Sequence, residues 1–390
     1  MSLTSSPLRV LQVYKTSLPE TMGGTEQVVR TLATQSHQHA VESEVVTLCA
    51  DGRLAGISIQ GPYTLHRFRR DFEVASMPVS LRLLRQFAAL ARRFDLIHYH
   101  FPWPFMDVLH LAGAARTPSV LTYHSDIVRQ RRWLRLYRPL QQRFLERVDH
   151  IVATSPNYRA TSPVLANFQT KLSVIPIGLD PSSHYTPDAE RARAWRTRLG
   201  PRFFLFVGVL RYYKGLQYLL QAVRETQIPV AIVGDGPEGA RLRQQARQLG
   251  LSHVHFLGVL DDADKHALLS LCDGLVFPSH LRSEAFGITL LEAAMHAKPM
   301  ISCEIGTGTS FVNVAGQTGL VVAPADPVAL CDAMRYLWNH PQVADALGQE
   351  ALRRYRQYFT GAAMVRSYAA LYRQVHSAAG GAATLGEKQG

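Results

Sequence analysis

The sequence predicts an α/β protein made of two doubly wound halves, and three observations carry that prediction. Short apolar runs alternate with helical patterns in two successive series, over residues 9–177 and 203–323. Between the series, residues 180–200 lapse into Pro, Ser and charged residues, as a linker with one short helix would. Several apolar runs end in glycine-rich or polar turns, the junctions at which open α/β sheets bind ligands. A length of 390 residues suits two domains. The expected division is 1–183, a linker at 184–200, a second domain at 201–359, a terminal helix at 360–376 and a Gly/Ala-rich unstructured tail at 377–390.

In the first half, residues 9–14 form a strand that runs through Gly23-Gly24 into a helix with Val28, Val29, Leu32 and Ala33 on its apolar face. Strand, Gly-Gly loop and helix start make a geometry that accepts phosphate, though a plain tight turn explains such a pair of glycines equally well. Strands follow at 44–50 and 64–68, a helix at 79–94, and a strand at 96–101 that carries His98 and His100 and exits into Pro102-Trp103-Pro104. The strand at 119–126 gathers Thr122, His124, Ser125 and Asp126 at its carboxyl end. An arginine-dense helix spans 129–147, and strands at 150–154 and 172–177 complete the sheet.

The second half has strands at 203–209, 230–234, 254–257, 274–277, 299–304 and 320–323, with helices between them. Three helices without a strand follow, at 327–338, 341–359 and 361–376. The stretch Phe277–Ala294 carries the most chemistry. It leaves an apolar strand, turns through Pro278, Ser279 and His280, and bears two carboxylates, Glu284 and Glu292. Residues 286–291 between them read as the first turns of a buried helix. Eight helical residues turn about 800°, roughly 80° past two full turns, so two helical glutamates would point in neighbouring directions. Placing Glu284 in the loop and Glu292 on the helix instead lets each reach a different part of one long ligand. Gly287 admits close backbone approach, and the N–H groups after it are orphan donors at a helix start.

Composition narrows the class. Hydrophobic residues make up 47% and charged residues 18%, the balance of a soluble globular protein, and no apolar run approaches a membrane span. The opening residues lack a charged segment followed by an apolar core, so no secretory leader is expected. Cys49, Cys272, Cys303 and Cys331 are scattered with no CxxC spacing, which fits buried thiols in a cytoplasmic compartment better than zinc or disulfides. The net charge of +12 concentrates in residues 1–180, with 21 Lys/Arg against 13 Asp/Glu, and suits a polyanionic partner or phosphorylated substrate.

Gly23-Gly24, the strand ending in His124, Val174–Asp180, Phe206-Val207-Gly208 with Lys214-Gly215, Gly234-Asp235-Gly236-Pro237 and Glu284 with Glu292 occur in one order over about residues 9–376. That set resembles the retaining GT-B glycosyltransferases of the large family (family 4) that contains sucrose synthase and the bacterial phosphatidylinositol mannosyltransferases. The resemblance implies two Rossmann-like domains facing across a cleft, with a C-terminal helix returning to the N-terminal domain. It implies an N-terminal acceptor-binding domain and a C-terminal domain for the nucleotide sugar. It further implies that Gly23 and Gly24 reach the donor diphosphate through backbone N–H, and that His124 stands beside the transferred sugar. Lys214 would neutralise the leaving diphosphate and Glu284 would bind sugar hydroxyls. Phe286, Gly287 and Ile288 would offer backbone N–H groups, and Glu292 would grip the ribose hydroxyls. No metal and no protein nucleophile are implied, because the leaving phosphate takes the acceptor's proton on the same face.

Two positions depart from that family's pattern. Val209 stands where an arginine is common, and Arg211, two residues on, is expected as the second phosphate cation. Gly306-Thr307-Gly308-Thr309-Ser310 replaces a turn that ends in a carboxylate. Residues 210–215 and 302–308 look like those of mannosyl- and rhamnosyltransferases that assemble bacterial O-antigen (lipopolysaccharide) and related polysaccharides. The loop 256–265 resembles a guanine-binding loop, with Leu260, Asp262 and Lys265 as base contacts, so a GDP-sugar such as GDP-mannose is the expected donor. A UDP-sugar on the same fold is the alternative, and a nucleotide-sugar epimerase the alternative of another class.

Other residues have plainer readings. Asp262-Ala263-Asp264 matches a metal-binding DxD, but before a helix it reads as an N-terminal cap. His98 and His100 read as packed, hydrogen-bonded histidines, since no third metal ligand is spaced near them. His280 reads either as a donor contact or as a turn residue. The 129–147 helix is either a solvated face or an interfacial helix on anionic lipid, with Trp133, Leu134 and Tyr137 dipping in. With the resemblance, a peripheral position on the inner membrane face and a lipid-linked or oligosaccharide acceptor are expected. Nucleic acid is not, because no motif accompanies the charge.

Overall fold

The computed structural model describes residues 6–18, 20, 23–74, 77–114, 116–127, 131–180 and 189–386, with only the backbone described at 131–134 and 381–386. It divides into two compact units, Met1–Leu179 with Gly361–Gly390, and Asp180–Thr360.

The first unit is built on β1 (Leu8–Val13), β2 (Val41–Cys49), β3 (Gly56–Gln60), β4 (Tyr63–Arg69), a separate hairpin of β5 (Phe72–Val74) and β6 (Met77–Val79), and then β7 (Leu96–Phe101), β8 (Ser119–Tyr123), β9 (His150–Ala153) and β10 (Leu172–Val174). The sheet order is β10-β9-β8-β7-β1-β2-β4-β3, parallel except where β3 pairs antiparallel with β4. From β1 the chain winds first one way and then the other, so the order reverses between β1 and β7. Strands β7 and β8 are buried throughout, as parallel strands covered on both faces must be. The helix Gly361–Gly386 belongs to this unit, and its Tyr368 and Tyr372 are buried against β7 and β8.

The second unit has β11 (Phe204–Val207), β12 (Val230–Val233), β13 (Val254–Gly258), β14 (Gly274–Phe277), β15 (Met300–Cys303) and β16 (Gly319–Val322), all parallel, in the order β13-β12-β11-β14-β15-β16. Its reversal lies between β11 and β14, so the loops leaving those two strands flank the ligand crevice expected of such a sheet. The core packs Phe204, Phe206, Val230, Ile232, Val276 and Ile301 from the strands against Leu216, Leu219 and Leu220 of the following helix.

The structure departs from the sequence reading in several elements of the fold. Strands β3, β5 and β6 were not anticipated. The side chains of β5 are exposed and Ile57 and Ile59 of β3 stand 70% and 80% exposed, so neither strand shows the buried pattern that betrays a core strand. Within the expected linker, residues 181–188 lie outside the described residues, and the one short helix expected there is Ala189–Leu199, packed on the second unit through Trp195, whose Nε1 donates to Asp264 at 3.0 Å. The terminal helix runs past His376 to Gly386, into the stretch expected to be unstructured, whose residues 387–390 lie outside the described residues.

Candidate active site

In the second unit, the sequence-predicted residues collect in the loops that leave β11, β13 and β14. Lys214 follows β11 in a short turn, and its ammonium lies 2.6 Å from Glu284 Oε2. The two side chains are only 10% and 12% exposed. Ser279 Oγ donates to the same carboxylate oxygen at 3.1 Å. The ammonium also lies 4.8 Å from the Phe277 ring and 5.5 Å from the Tyr213 ring, so a cation is held among two aromatic rings and one anion. Burial, with Glu284 adding to it, raises the Tyr213 phenol to about 12, which keeps that ring neutral beside the pair.

Two glycines make this geometry possible. Gly215 sits at φ 71°, and a Cβ there would fall 1.9 Å from the Pro278 carbonyl oxygen, so the β11 and β14 loops touch backbone to backbone. His280 N–H closes the same contact by donating to Tyr213 O at 3.0 Å, and Tyr212 and Ser283 hydroxyls meet at 3.0 Å. Gly287, at φ 85°, caps the helix Ile288–Met295, and Leu290 N–H returns to its carbonyl at 2.9 Å. The helix thus starts two residues later than Phe286. Phe286 packs instead against Phe359, and the left-handed Gly287 turns the chain into the helix.

Glu284 is in the loop and Glu292 on the helix. Glu292 is buried and meets Lys265, which donates to Glu292 Oε1 at 2.9 Å and to Asp262 Oδ1 at 2.8 Å. Burial alone would lower the Lys265 ammonium, but Glu292 and then Asp262 outweigh it and the net shift is upward. The residues assigned to base and ribose are therefore one contiguous cluster, with Leu260 half-buried in the loop leading into it. The helix there begins at Asp262, earlier than the sequence suggested. Its cap is Asp261, whose Oδ1 accepts from Asp264 N–H at 2.7 Å. Asp264 accepts from Trp195 and lies 3.1 Å from Arg191, so its carboxylate is committed within the fold.

Arg211 is exposed at the head of the Lys214 turn. In the 306–310 turn, which holds no carboxylate, Glu304 Oε1 from just before it accepts from Gly306 N–H at 2.8 Å and from Ser310 at 3.0 Å. Arg282 donates to Gly306 O at 2.8 Å, which fixes the turn from the other side. His280 packs its ring on Tyr218, and its Nδ1 is buried with no hydrogen-bond partner among the described residues. Sequence reasoning passed over Ser279, Tyr213 and Phe277 as partners of the Lys214–Glu284 pair, because their role depends on two loops meeting.

In the first unit, the helix that opens at Gly24 is capped at Gly23. The Glu26 carboxylate folds back so closely that a Cβ on Gly23 would meet its Oε2 at 2.4 Å, and Thr16 donates to Glu26 Oε1 at 2.8 Å. An anion at this helix start would share the space with that carboxylate. His124 follows β8, is buried, and stacks on His100 with ring centres 5.4 Å apart. Burial pushes the His124 imidazole down to about 3, so it is neutral at ordinary pH. His98 and His100 are hydrogen-bonded within the fold, as their plainer reading requires. Tyr137 does not dip outward: its hydroxyl donates to the buried Asp107 carboxylate, while Trp133 and Leu134 have no described side chains. All four cysteines are buried and unpaired, no group of metal-ligating side chains occurs among the described residues, and no described helix is long and apolar enough to cross a membrane.

Comparison with known proteins places this architecture. Residues 188–354 match the family described as Glycosyl transferases group 1, and residues 22–183 match Glycosyltransferase Family 4. The chain is 55% identical over 353 residues to the D-rhamnosyltransferase WbpZ of Pseudomonas aeruginosa, covering 90% of this chain and 92% of that protein. It is 48% identical over 365 residues to the O-antigen chain mannosyltransferase C of Escherichia coli, covering 94% and 98%. Among solved structures, the sucrose-phosphate synthase of Thermosynechococcus elongatus superposes with a TM-score of 0.78 at 21% identity, over 95% of this chain and all of that one. With the two doubly wound units and matches spanning both, the chain belongs to the group 1, family 4 glycosyltransferases of GT-B fold.

Proposed function

We propose that this glycosyltransferase moves a mannose or a 6-deoxymannose such as rhamnose from a GDP-sugar, with retention and without a metal. The acceptor is a lipid-linked or polysaccharide chain in O-antigen assembly. The buried Lys214–Glu284 pair beside the β11–β14 reversal is the observation that carries the donor side of this reading. The two relatives named for rhamnosyl and O-antigen mannosyl transfer support the sugar class and the pathway.

In this reading Lys214, helped by Arg211, stabilises the charge that grows on the leaving diphosphate. Glu284 binds sugar hydroxyls and Glu292 the ribose. Leu260, Asp262 and Lys265 face the base. The N–H groups of Phe286, Gly287 and Ile288 face sugar and phosphate. Gly23 and Gly24 approach the diphosphate, and His124 addresses a hydroxyl of the transferred sugar. The C1–O bond to phosphate breaks as the acceptor oxygen bonds C1 on the same face. The acceptor's proton passes to the leaving phosphate oxygen, so no side chain needs to act as nucleophile. The arginine-rich helix holds the enzyme on the anionic inner face of the membrane.

A panel of nucleotide sugars, assayed for nucleotide release with and without a lipid-linked acceptor, tests this directly. Release from GDP-mannose or GDP-rhamnose with α-linked product is the expected result. Release from UDP-sugars alone, or free epimerised nucleotide sugar, would refute it.

A further inference from the structure

His124 is the end of an unbroken chain of buried hydrogen bonds that crosses the first unit. His124 Nε2 meets His100 Nδ1 at 3.1 Å, and His100 Nε2 meets Gln12 Oε1 at 2.9 Å. Gln12 Nε2 donates to Tyr372 O–H at 3.2 Å, and Tyr372 O–H meets His98 Nδ1 at 2.7 Å. His98 Nε2 meets Thr122 Oγ1 at 2.7 Å, and that oxygen meets Tyr368 O–H at 2.6 Å. All seven side chains are buried.

One group orders all the protons. A carboxamide oxygen only accepts and its nitrogen only donates. With Gln12 Oε1 toward His100, the His100 proton must be on Nε2, which leaves Nδ1 as an acceptor. His124 must then donate through Nε2–H, and its own Nδ1 keeps a lone pair. On the other side, Gln12 N–H donates to Tyr372, Tyr372 O–H to His98 Nδ1, and His98 Nε2–H to Thr122. Every histidine in the chain is the Nε2–H tautomer. With the amide turned over, every one would be Nδ1–H. Burial keeps His98 and His100 neutral by holding both well below the ordinary imidazole range, so tautomer and not charge is the variable.

We propose that Gln12, His100 and Tyr372 are positioning residues that hold His124 as its Nε2–H tautomer. They thereby present its Nδ1 as a fixed acceptor for a hydroxyl of the sugar being transferred. The acceptor half rests on the role given to His124 above; the tautomer half does not. Because Tyr372 lies on the terminal helix, the relay ties that helix to the chemistry of a residue far away in sequence.

The test is long-range 15N–1H correlation on histidine-labelled protein, with His124 assigned through His124→Gln. The wild type is expected to show a pyrrole-type Nε2 and a pyridine-type Nδ1 at His98, His100 and His124 alike. Tyr372→Phe keeps the ring but frees the amide to turn. It should give a mixed tautomer at His124 and about a tenfold lower kcat, with donor KM within about twofold. Tyr368→Phe removes a hydroxyl of the same kind beyond the last histidine and should leave the His124 signals in place. An Nδ1–H tautomer at His124 in the wild type, or a pure Nε2–H tautomer surviving in Tyr372→Phe, overturns the proposal. A His124→Ala enzyme with wild-type kcat would instead overturn the acceptor half together with the site reading it rests on.

Discussion

Lys214 and Glu284 come from loops 70 residues apart and meet at 2.6 Å where the second sheet reverses direction, each about a tenth exposed. A buried pair of this kind loses more by removal of one partner than it gains by existing, because the survivor is left as an uncompensated charge. In the proposed function, Glu284 keeps the Lys214 cation oriented for the diphosphate. Replacing Lys214 by Ala should lower kcat/KM by 100-fold or more, about 3 kcal/mol at the transition state. Glu284→Ala should do the same and also lower the melting temperature. The double variant should lose far less than the sum of the two, and additive losses in steady-state kinetics would mean that the two residues do not act as a unit.

Nucleotide recognition should follow Lys265, because it joins Asp262 to the buried Glu292. Thermal-shift titration is expected to show tighter binding of GDP than of UDP by the wild type. A ligand at 100 times its Kd adds about 2.7 kcal/mol of stability, easily read as a shift in Tm. Lys265→Met should weaken GDP binding more than UDP binding and narrow the difference. Glu292→Gln should weaken both alike, since the ribose is common to them. An unchanged preference in Lys265→Met would remove this loop from base recognition.

How much of this was legible beforehand depended on whether a feature is local. The alternation of apolar runs and helices could be read because core strands bury every residue, as in β7 and β8. The loop position of Glu284 and the helix position of Glu292 could be read from the polar turn that precedes the apolar helical run, although Gly287, read inside that helix, in fact caps it. The pairings could not. Nothing near Lys214 in sequence marks Phe277 or Ser279 as its neighbours, and nothing near His124 points to Tyr372. Those relations exist only once parallel strands bring their carboxyl ends together. The interfacial reading of Tyr137 fails for a similar reason. It lies in an arginine-rich helix, and only the fold shows Asp107 beneath it.

Acid should unfold this protein through its buried histidines. Burial lowers His124 to about 3 and His110 to about 4, and pushes His98 and His100 down as well. An unfolded histidine titrates near 6.5, so below that pH the unfolded chain takes up protons that the folded chain refuses. Stability is then complete above about pH 6.5 and falls as the pH drops toward 4, by about 1.4 kcal/mol per pH unit for each such histidine. Urea unfolding between pH 7 and 4.5 should show this slope. His110→Gln should make the slope shallower by roughly one histidine's share, and an unchanged slope would mean that His110 protonates freely in the folded protein.

The arginine-rich helix offers a separation of two roles. Arg135, Arg138 and Arg143 are exposed, and Leu136 between them is 76% exposed. Tyr137 faces the other way, donating to Asp107, whose carboxyl is held well above the usual carboxylate range by burial. Charge reversal of the three arginines should abolish salt-sensitive binding to vesicles containing anionic lipid while leaving the melting temperature within a few degrees. Tyr137→Phe should do the opposite. It leaves vesicle binding intact but removes a donor from a buried carboxyl whose other oxygen already has no partner among the described residues, at a cost of about 1–3 kcal/mol. For units of this size that is several degrees in Tm. Flotation and melting measured on both variants would decide the matter. If wild-type protein fails to float with anionic vesicles at low salt, the exposed arginines are only a solvated face.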